Sequence, residues 1–433
     1  MSLRKFLLEN EAVIGIDTPS DYLYIKILRF MLIIIASWPR KELGEPEPSY
    51  QRAVRVFYFV LCIFLSCGYF TYVYIHNSEL TFVEAGHMYL IILMSAVNMS
   101  RVKSLTLSPK YLAMAKSFLR KIHLFYYKER SDHAMKTHKM VHLLCHIFTL
   151  LLLSQMVAGC TLYNMIPMYS NYAAGRYKVG GANENSTFEH SVYLPYPFNT
   201  STDLRGYVVV NIIHWWLCYL TSTWICMFDL FLSLMVFHLW GHFKILLNLL
   251  NDFPRPSPNS EYILEEKGMQ IKVDMYSKEE LVKVTERLKE IINYHREIIV
   301  FTNTISDVFG PMLFVYYVFH QASGCLLLLE CSQMTTQALM RYLPLTVILT
   351  QQLIQISVTF ELVGSESEKL KDAVYGLPWQ SMDNLNRNMV TFFLMNVQEP
   401  VHLKALGVAN VGVTSMAAIL KTSMSYFTFL RSM

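Results

Sequence analysis

The chain has 433 residues, 53% of them hydrophobic and only 16% charged, against about 25% charged in soluble domains. This excludes a string of ordinary soluble domains, because no soluble core needs so many long apolar runs, and points to a membrane protein. The net charge is +4, with 37 Lys and Arg scattered along the chain, so there is no basic patch for a nucleic acid and no such partner is expected.

In chain order, residues 1–55 read as a cytoplasmic amino-terminal segment. Its start carries Arg4, Lys5, Glu9 and Glu11 and lacks the ~7–15-residue apolar stretch of a cleavable export signal. Tyr22 to Trp38 is apolar but short, holds Lys26 and Arg29 and stops at Pro39. It reads as a helix lying in the membrane surface, with a short true span as the alternative.

Seven longer runs follow, each near the ~20 residues needed to cross a ~30 Å hydrocarbon core. They are Val56 to Ile75, Val83 to Met99, Met140 to Tyr163, Val208 to Val236, Ile298 to Leu329, Tyr342 to Val363 and Ala405 to Leu430. Residues 56–363 thus hold spans one to six, with an outer loop at 164–205 and a cytoplasmic loop at 237–297. Residues 364–404 form a cytoplasmic helical region before the last span in 405–433.

Orientation follows from loop charge, because Lys and Arg are retained in the cytoplasm. The amino-terminal segment and the loops after spans two, four and six hold 31 of the 37 basic residues. The opposite side has Arg176, Lys178, Arg205, Arg341 and Arg431, and Lys421 lies within the last span. The amino terminus is therefore expected inside. The outer loop carries two glycosylation sequons, at Asn185 and Asn199, on the face where they are usable; a third, at Asn98, falls within span two. The expected fold is an all-α integral membrane protein with seven spans, inverted relative to G-protein-coupled receptors. Cys325 and Cys331 could pair with each other or with Cys160, or all three stay as free, hydrophobe-like thiols.

In the loop after span four, Asp252-Phe-Pro-Arg-Pro-Ser-Pro258 ends a helix and Ser277 with Glu280 starts another through a capping box. Leu281, Val284, Leu288, Ile291, His295 and Ile298 then repeat at steps of three and four, a narrow seam for packing within or between subunits. His138, His142, Cys145 and His146 have helical ligand spacing, but no closed four-ligand set is evident and no metal is expected. There is no phosphate loop, His-Glu-x-x-His or nucleophile elbow, so neither enzyme activity nor a cofactor is expected.

The outer halves of spans two, three, four and six are rich in aromatics and thin in charge. Candidate ligand contacts are Phe82, Met88 and Tyr89, then Ser154, Ala158 and Tyr163, then Trp215, Trp216 and Tyr219, and finally Tyr342 and Thr346. Such a surface suits a long, mostly hydrocarbon ligand with one oxygen function, each buried CH₂ contributing ~0.8 kcal/mol. The alternative is an interfacial aromatic belt. Trp215 and Trp216 project about 100° apart and cannot both face one pocket equally.

Span seven is rich in hydroxyls, and with Lys421 it is too polar to face lipid on all sides. Val411, Ser415, Ala418, Thr422, Ser425 and Phe429, at steps of four and three, share one face. That stripe fits a narrow water path closed by an aromatic ring, or close packing through small residues. Lys421 would oppose cation entry if it faced the pore; Glu361 and Asp307 are its candidate partners.

The last third also carries Glu361-Leu-Val-Gly-Ser-Glu-Ser-Glu-Lys-Leu, Ala373-Val-Tyr-Gly-Leu-Pro-Trp379, Asn386-Arg387, Val397-Gln-Glu-Pro400 and Ala418-Ile-Leu-Lys-Thr-Ser-Met-Ser-Tyr-Phe427. This resembles insect odorant receptors, and within them the moth sex-pheromone subfamily. The resemblance spans the seven-helix plan and is specific over Glu361 to Leu430. It implies a ligand-gated, non-selective cation channel in the plasma membrane of sensory-neuron dendrites, a heterotetramer with an obligate odorant co-receptor subunit. The implied ligand is a hydrophobic volatile: a long-chain unsaturated alcohol, aldehyde or acetate. It further implies a pore lined by the final helix with Phe429 at the outer gate, and subunit contacts through cytoplasmic extensions, at Leu281, Leu288 and Trp379. A metabotropic seven-span chemoreceptor and a gustatory-type channel of the same superfamily are the alternatives.

Overall fold

A computed structural model of the protein describes residues 16–78, 80, 82–178, 181–183, 186–257, 261–266, 269–332, 336–407 and 409–432. Eleven labelled helices carry the architecture. In chain order they are α1 (Leu23–Ile34), α2 (Gln51–His76), α3 (Phe82–Arg101), α4 (Pro109–Ser117), α5 (Asp132–Ala173) and α6 (Leu204–Asn251). A β-hairpin, β1 (Glu261–Glu266) with β2 (Met269–Asp274), precedes α7 (Lys278–Cys331), α8 (Thr336–Glu368), α9 (Leu370–Tyr375) and α10 (Asn384–Asn396). A second, two-residue hairpin, β3 (Lys404–Ala405) with β4 (Ala409–Asn410), leads into α11 (Val413–Ser432). The fold is thus helical with two small hairpins that an all-α reading did not include.

Five helical stretches among the described residues are long and apolar enough to cross a membrane: α2, α5, α6, α7 and Tyr342–Ser381, which contains most of α8. A sixth is added if Glu84–Thr106 and Pro109–Tyr127, bent by 67°, count as one. Seven runs were expected. The last one differs because Lys421 and the hydroxyls of α11 dilute its apolar character, and because residues 405–407 and 409–412 are not helical. Leu406 and Gly407 turn the hairpin with φ of 50° and 71°, a left-handed geometry that ends helical propagation. Gly310 of α7 lets this hairpin sit close: a Cβ there would meet the Leu406 nitrogen at 3.1 Å.

α5, α6 and α7 have 42, 48 and 54 residues, roughly 60–80 Å at 1.5 Å per residue and about twice the hydrocarbon core or more. Their excess length builds a helical body beyond the spans. α6 is its central post: nearly every side chain from Trp224 to Leu250 is buried, against α1, α5, α7, α8 and α9. α1 has 12 residues, about 18 Å and too short to cross. It buries Tyr24, Ile25, Leu28 and Leu32 against α5 and α6.

This body holds a buried histidine–tyrosine cluster. Tyr22 OH bonds His138 Nε2 at 2.8 Å, Tyr24 OH bonds His123 Nε2 at 2.8 Å, and Tyr294 OH bonds His242 Nδ1 at 2.7 Å. The Leu124 amide donates to His238 Nδ1 at 3.2 Å. His138, considered above for metal spacing, is therefore engaged by a phenol. Burial holds His138 down to about 3 and His242 to about 4, and holds the fully buried His123 and His238 well below the ordinary imidazole range.

The expected break and restart before α7 are both present. α6 ends at Asn251, the Ser277 hydroxyl accepts from the Glu280 amide at 3.2 Å, and the Glu280 carboxylate accepts from the Ser277 amide at 2.8 Å. The seam that follows is used inside the subunit: Val284, Leu288, Ile291, His295 and Ile298 are all buried within this one chain, Leu288 completely. Leu288 therefore has no surface to offer a second subunit. Leu281 is half-buried, its carbonyl accepting from Asn386 Nδ2 of α10 at 3.4 Å. Trp379 is half-buried beside Tyr375, with ring centroids 6.5 Å apart.

Candidate ligand cavity and final helix

A largely apolar cavity of about 190 Å³ lies among α2, α3, α5, α6, α7 and α8. The helices contribute in turn Cys62 and Leu65, Ile91 and Met94, Met156 and Gly159, Leu217 and Cys218, Phe319, and Leu345 and Leu349. One end is closed by the loop after α5. There the Ser191 carbonyl accepts from Tyr163 OH at 2.7 Å and meets His87 Nε2 at 3.0 Å, and the neighbouring Val192 lines the cavity. The loop is anchored further by Asn171, which donates to the Glu189 carbonyl and accepts from its amide, and by Arg176 with Glu189 at 3.1 Å.

The other end rests on a buried ion pair absent from the sequence reading. Arg101, the last residue of α3, is 0% exposed; its Nη2 lies 2.9 Å from Asp229 Oδ1 and 3.1 Å from Oδ2. Nη1 donates to the Ile225 carbonyl, and the guanidinium sits 5.1 Å from the Tyr316 ring centroid. Ile225 and Tyr316 both line the cavity, so the pair lies directly behind its floor. A burial this deep is sustained only because each charge is paired and hydrogen-bonded. An acid within the apolar run Val208 to Val236 was the available signal; Arg101 read as a loop charge.

Of the expected ligand contacts, Tyr163 lines this cavity. Met88 is buried behind its wall with Leu65, Tyr69, Ile91 and Leu217. Tyr342 is buried too, 6.4 Å ring to ring from His87. Thr346 bonds the Tyr342 carbonyl, and Tyr219 bonds Thr161 at 3.1 Å. Tyr89, Ser154, Ala158 and Trp216 are exposed on the far faces of their helices, and Trp215 stacks on Tyr219. The Phe82 side chain lies outside the described residues. The depth along these helices matches while the face is off by one or two residues: Gln155 and Gly159 line the cavity instead of Ser154 and Ala158, and Leu217 and Cys218 instead of Trp215 and Trp216. Cys160 and Cys218 adjoin inside the cavity, and all eight cysteines, Cys325 and Cys331 included, are free thiols.

α11 packs on α7 and α8. The Glu361 carboxylate of α8 accepts from the Val413 amide at 3.1 Å, placing negative charge at the helix start, where the backbone dipole favours it. Glu361 is thus a cap; Lys421 is exposed and forms no ion pair among the described residues. Ser423 faces inward and donates to the Gln321 carbonyl at 3.3 Å, beside Gly324, where a Cβ would meet the Ser423 hydroxyl at 3.0 Å. Of the stripe expected to share one face, Ala418, Thr422, Ser425 and Phe429 are exposed and Ser415 is half-buried. Val411 precedes the helix and is buried, its amide donating to the Leu403 carbonyl at 2.9 Å. The Thr422 and Ser425 hydroxyls donate to the carbonyls one turn back, which leaves their lone pairs facing outward as acceptors. Asn199 is exposed, with its own side chain closing a turn on Ser201 and Thr202; Asn185 lies outside the described residues.

Several membrane-capable helices around a largely apolar cavity define a multi-pass helical membrane protein. The family model described as "7tm Odorant receptor" matches residues 81–424, and the chain belongs to that family. Among curated relatives, it is 27% identical over 161 residues to Odorant receptor 13a of Drosophila melanogaster and 29% identical over 156 residues to Odorant receptor 67a of the same fly. Each match covers 34% of this chain, and the chain spans 38% and 36% of those relatives' lengths. The fold is also that of the insect olfactory receptor OR5 from Machilis hrabei, solved in complex with eugenol: TM-score 0.74, 12% identity, covering 94% of this chain and 97% of that one.

Proposed function

We propose that this protein is the odour-reading subunit of a ligand-gated, non-selective cation channel, assembled with a co-receptor subunit in the plasma membrane of sensory dendrites. The observation that carries the reading is the largely apolar cavity bounded by α7 and α8, the two helices against which α11 packs. A ligand filling it pushes on the helices that hold α11, so occupancy and gate share one mechanical element. In this reading α11 is the seventh span, the amino terminus is cytoplasmic, and the exposed stripe of Ser415, Ala418, Thr422, Ser425 and Phe429 borders the pore. Trp379 and Leu281 remain the subunit-contact candidates.

The ligand is a hydrophobic volatile of the kind moth pheromone receptors take, a long-chain unsaturated alcohol, aldehyde or acetate. At about 190 Å³ the cavity is below the ~300–1,000 Å³ usual for ligand pockets. A long chain therefore enters by displacing flexible Met94 and Met156, whose unbranched thioethers re-pack at low cost. The test is co-expression with a co-receptor and recording of currents to a panel of these compounds. Currents that vanish when G-protein signalling is blocked refute the channel assignment and favour a metabotropic receptor.

A further inference from the structure

We propose that Asn98 and Tyr316 form a hydroxyl-reading site at the floor of the cavity, so that the preferred ligand is an alcohol. This rests on the reading of the cavity as the odour site. Asn98 is 5% exposed and Tyr316 1%; both line the cavity, and both Asn98 Oδ1 and Tyr316 OH are buried without a hydrogen-bond partner. Native interiors rarely leave such groups unmet, and two in one cavity mark a place where a ligand supplies the missing bonds.

Three other polar side chains lining the cavity are already committed. Ser95 donates to the Ile92 carbonyl and accepts from Ser66, Thr221 donates to the Leu217 carbonyl, and Tyr163 donates to Ser191. The two residues neighbour the same cation: Asn98 lies one turn before Arg101 on α3, and the Tyr316 ring lies against the Arg101 guanidinium. Asp229 neutralises that cation, so the floor has no net charge to attract a carboxylate or an amine. What it lacks is one donor for Asn98 Oδ1 and one partner for Tyr316 OH. An alcohol supplies both, donating its proton to Asn98 and accepting the proton of Tyr316. An aldehyde or acetate accepts from Tyr316 only and leaves Asn98 Oδ1 unmet. From Asn98 to His87 is about 16 Å along α3 at 1.5 Å per residue, which gives the hydrocarbon chain its direction, toward the loop end of the cavity.

The experiment uses the full chain co-expressed with a co-receptor, surface expression being checked by labelling, and a matched-chain series of alkanol, alkanal, alkyl acetate and alkane. The wild type should favour the alkanol by roughly 10-fold or more, the discrimination expected when a competitor leaves a buried polar group unpaired. Asn98→Leu should lower alkanol potency by about 10-fold and move the aldehyde and acetate by less than about 3-fold; Tyr316→Phe should weaken every oxygenated member and spare the alkane. A wild-type series led by aldehyde or acetate overturns the proposal, and it does so without any variant having to fold. Asn98→Leu with the wild-type order of potency overturns it as well. Gly159→Phe, which fills the cavity, separates the two levels. If it leaves every response intact, the cavity is not the odour site; if it abolishes responses while Asn98→Leu keeps the wild-type order, the hydroxyl assignment alone fails.

Discussion

Removing the carboxylate of Asp229 isolates the strongest interaction at the cavity floor. In Asp229→Ala, Arg101 loses contacts at 2.9 and 3.1 Å and keeps only the Ile225 carbonyl and the face of Tyr316. A fully buried guanidinium without its counter-charge costs about 3–5 kcal/mol. Unfolding entropy near 2.1 cal/mol/K per residue makes about 0.9 kcal/mol/K for a chain of this length, so the melting midpoint should fall by roughly 4 °C. The informative partner is Arg101→Met with Asp229→Leu, which removes both charges and fills the space. Because the pair's attraction is largely offset by desolvation, this double variant should melt within about 1–2 °C of wild type and above the single variant. Thermal unfolding in detergent, followed by fluorescence-detected size exclusion, reads both. A single variant as stable as wild type, or a double variant that melts below the single, would refute the argument that the floor depends on charge pairing.

Acidification should destabilise the helical body. His123, His138, His238, His242 and His295 are held below the ordinary value of 6.5 by burial, so below that pH the unfolded chain binds more protons than the folded one. Stability is complete above pH 6.5 and declines as pH falls toward 4, by up to about 1.4 kcal/mol per pH unit for each histidine; a melting midpoint that rises between pH 7 and 5 would contradict this. Ser277→Ala should cost about 1 kcal/mol through loss of the cap and speed amide exchange in the first turn of α7, and unchanged exchange there would count against the capping box. Phe429→Ala should raise unstimulated current if its ring narrows the pore. Glycosidase treatment should shift electrophoretic mobility through Asn199 or Asn185, and an amino-terminal epitope that labels on intact cells would invert the proposed orientation.

Much of this protein was legible before its structure. The apolar runs marked the crossing parts of six long helices, because a ~30 Å hydrocarbon core sets the length of any crossing segment regardless of its neighbours, while α6 and α7 run 15 and 20 residues beyond them. Ser277 and Glu280 announced the start of α7, because a capping box is made by four consecutive residues and needs nothing distant. The Glu361 to Leu430 motifs pointed to the family to which the chain belongs.

Which face of each helix looks into the cavity was decided only in three dimensions. On helices apolar all round, periodicity carries little phase information, so the sequence points to Ser154 and Ala158 where Gln155 and Gly159 line the wall, a rotation of about 100°. The tryptophans of α6 drew attention as large aromatics, yet Trp216 is exposed. The Leu281 to Ile298 seam likewise does not say whether its partner is inside or outside the subunit; α10 and the helical body settled most of it internally. The contact that matters most at the floor, Arg101 with Asp229, joins residues 128 positions apart, and the cavity brings together Asn98 and Tyr316 from positions 218 apart. Local sequence rules set lengths, caps and composition because those depend on neighbours along the chain; burial, pairing and unmet polar atoms depend on what the fold brings across it.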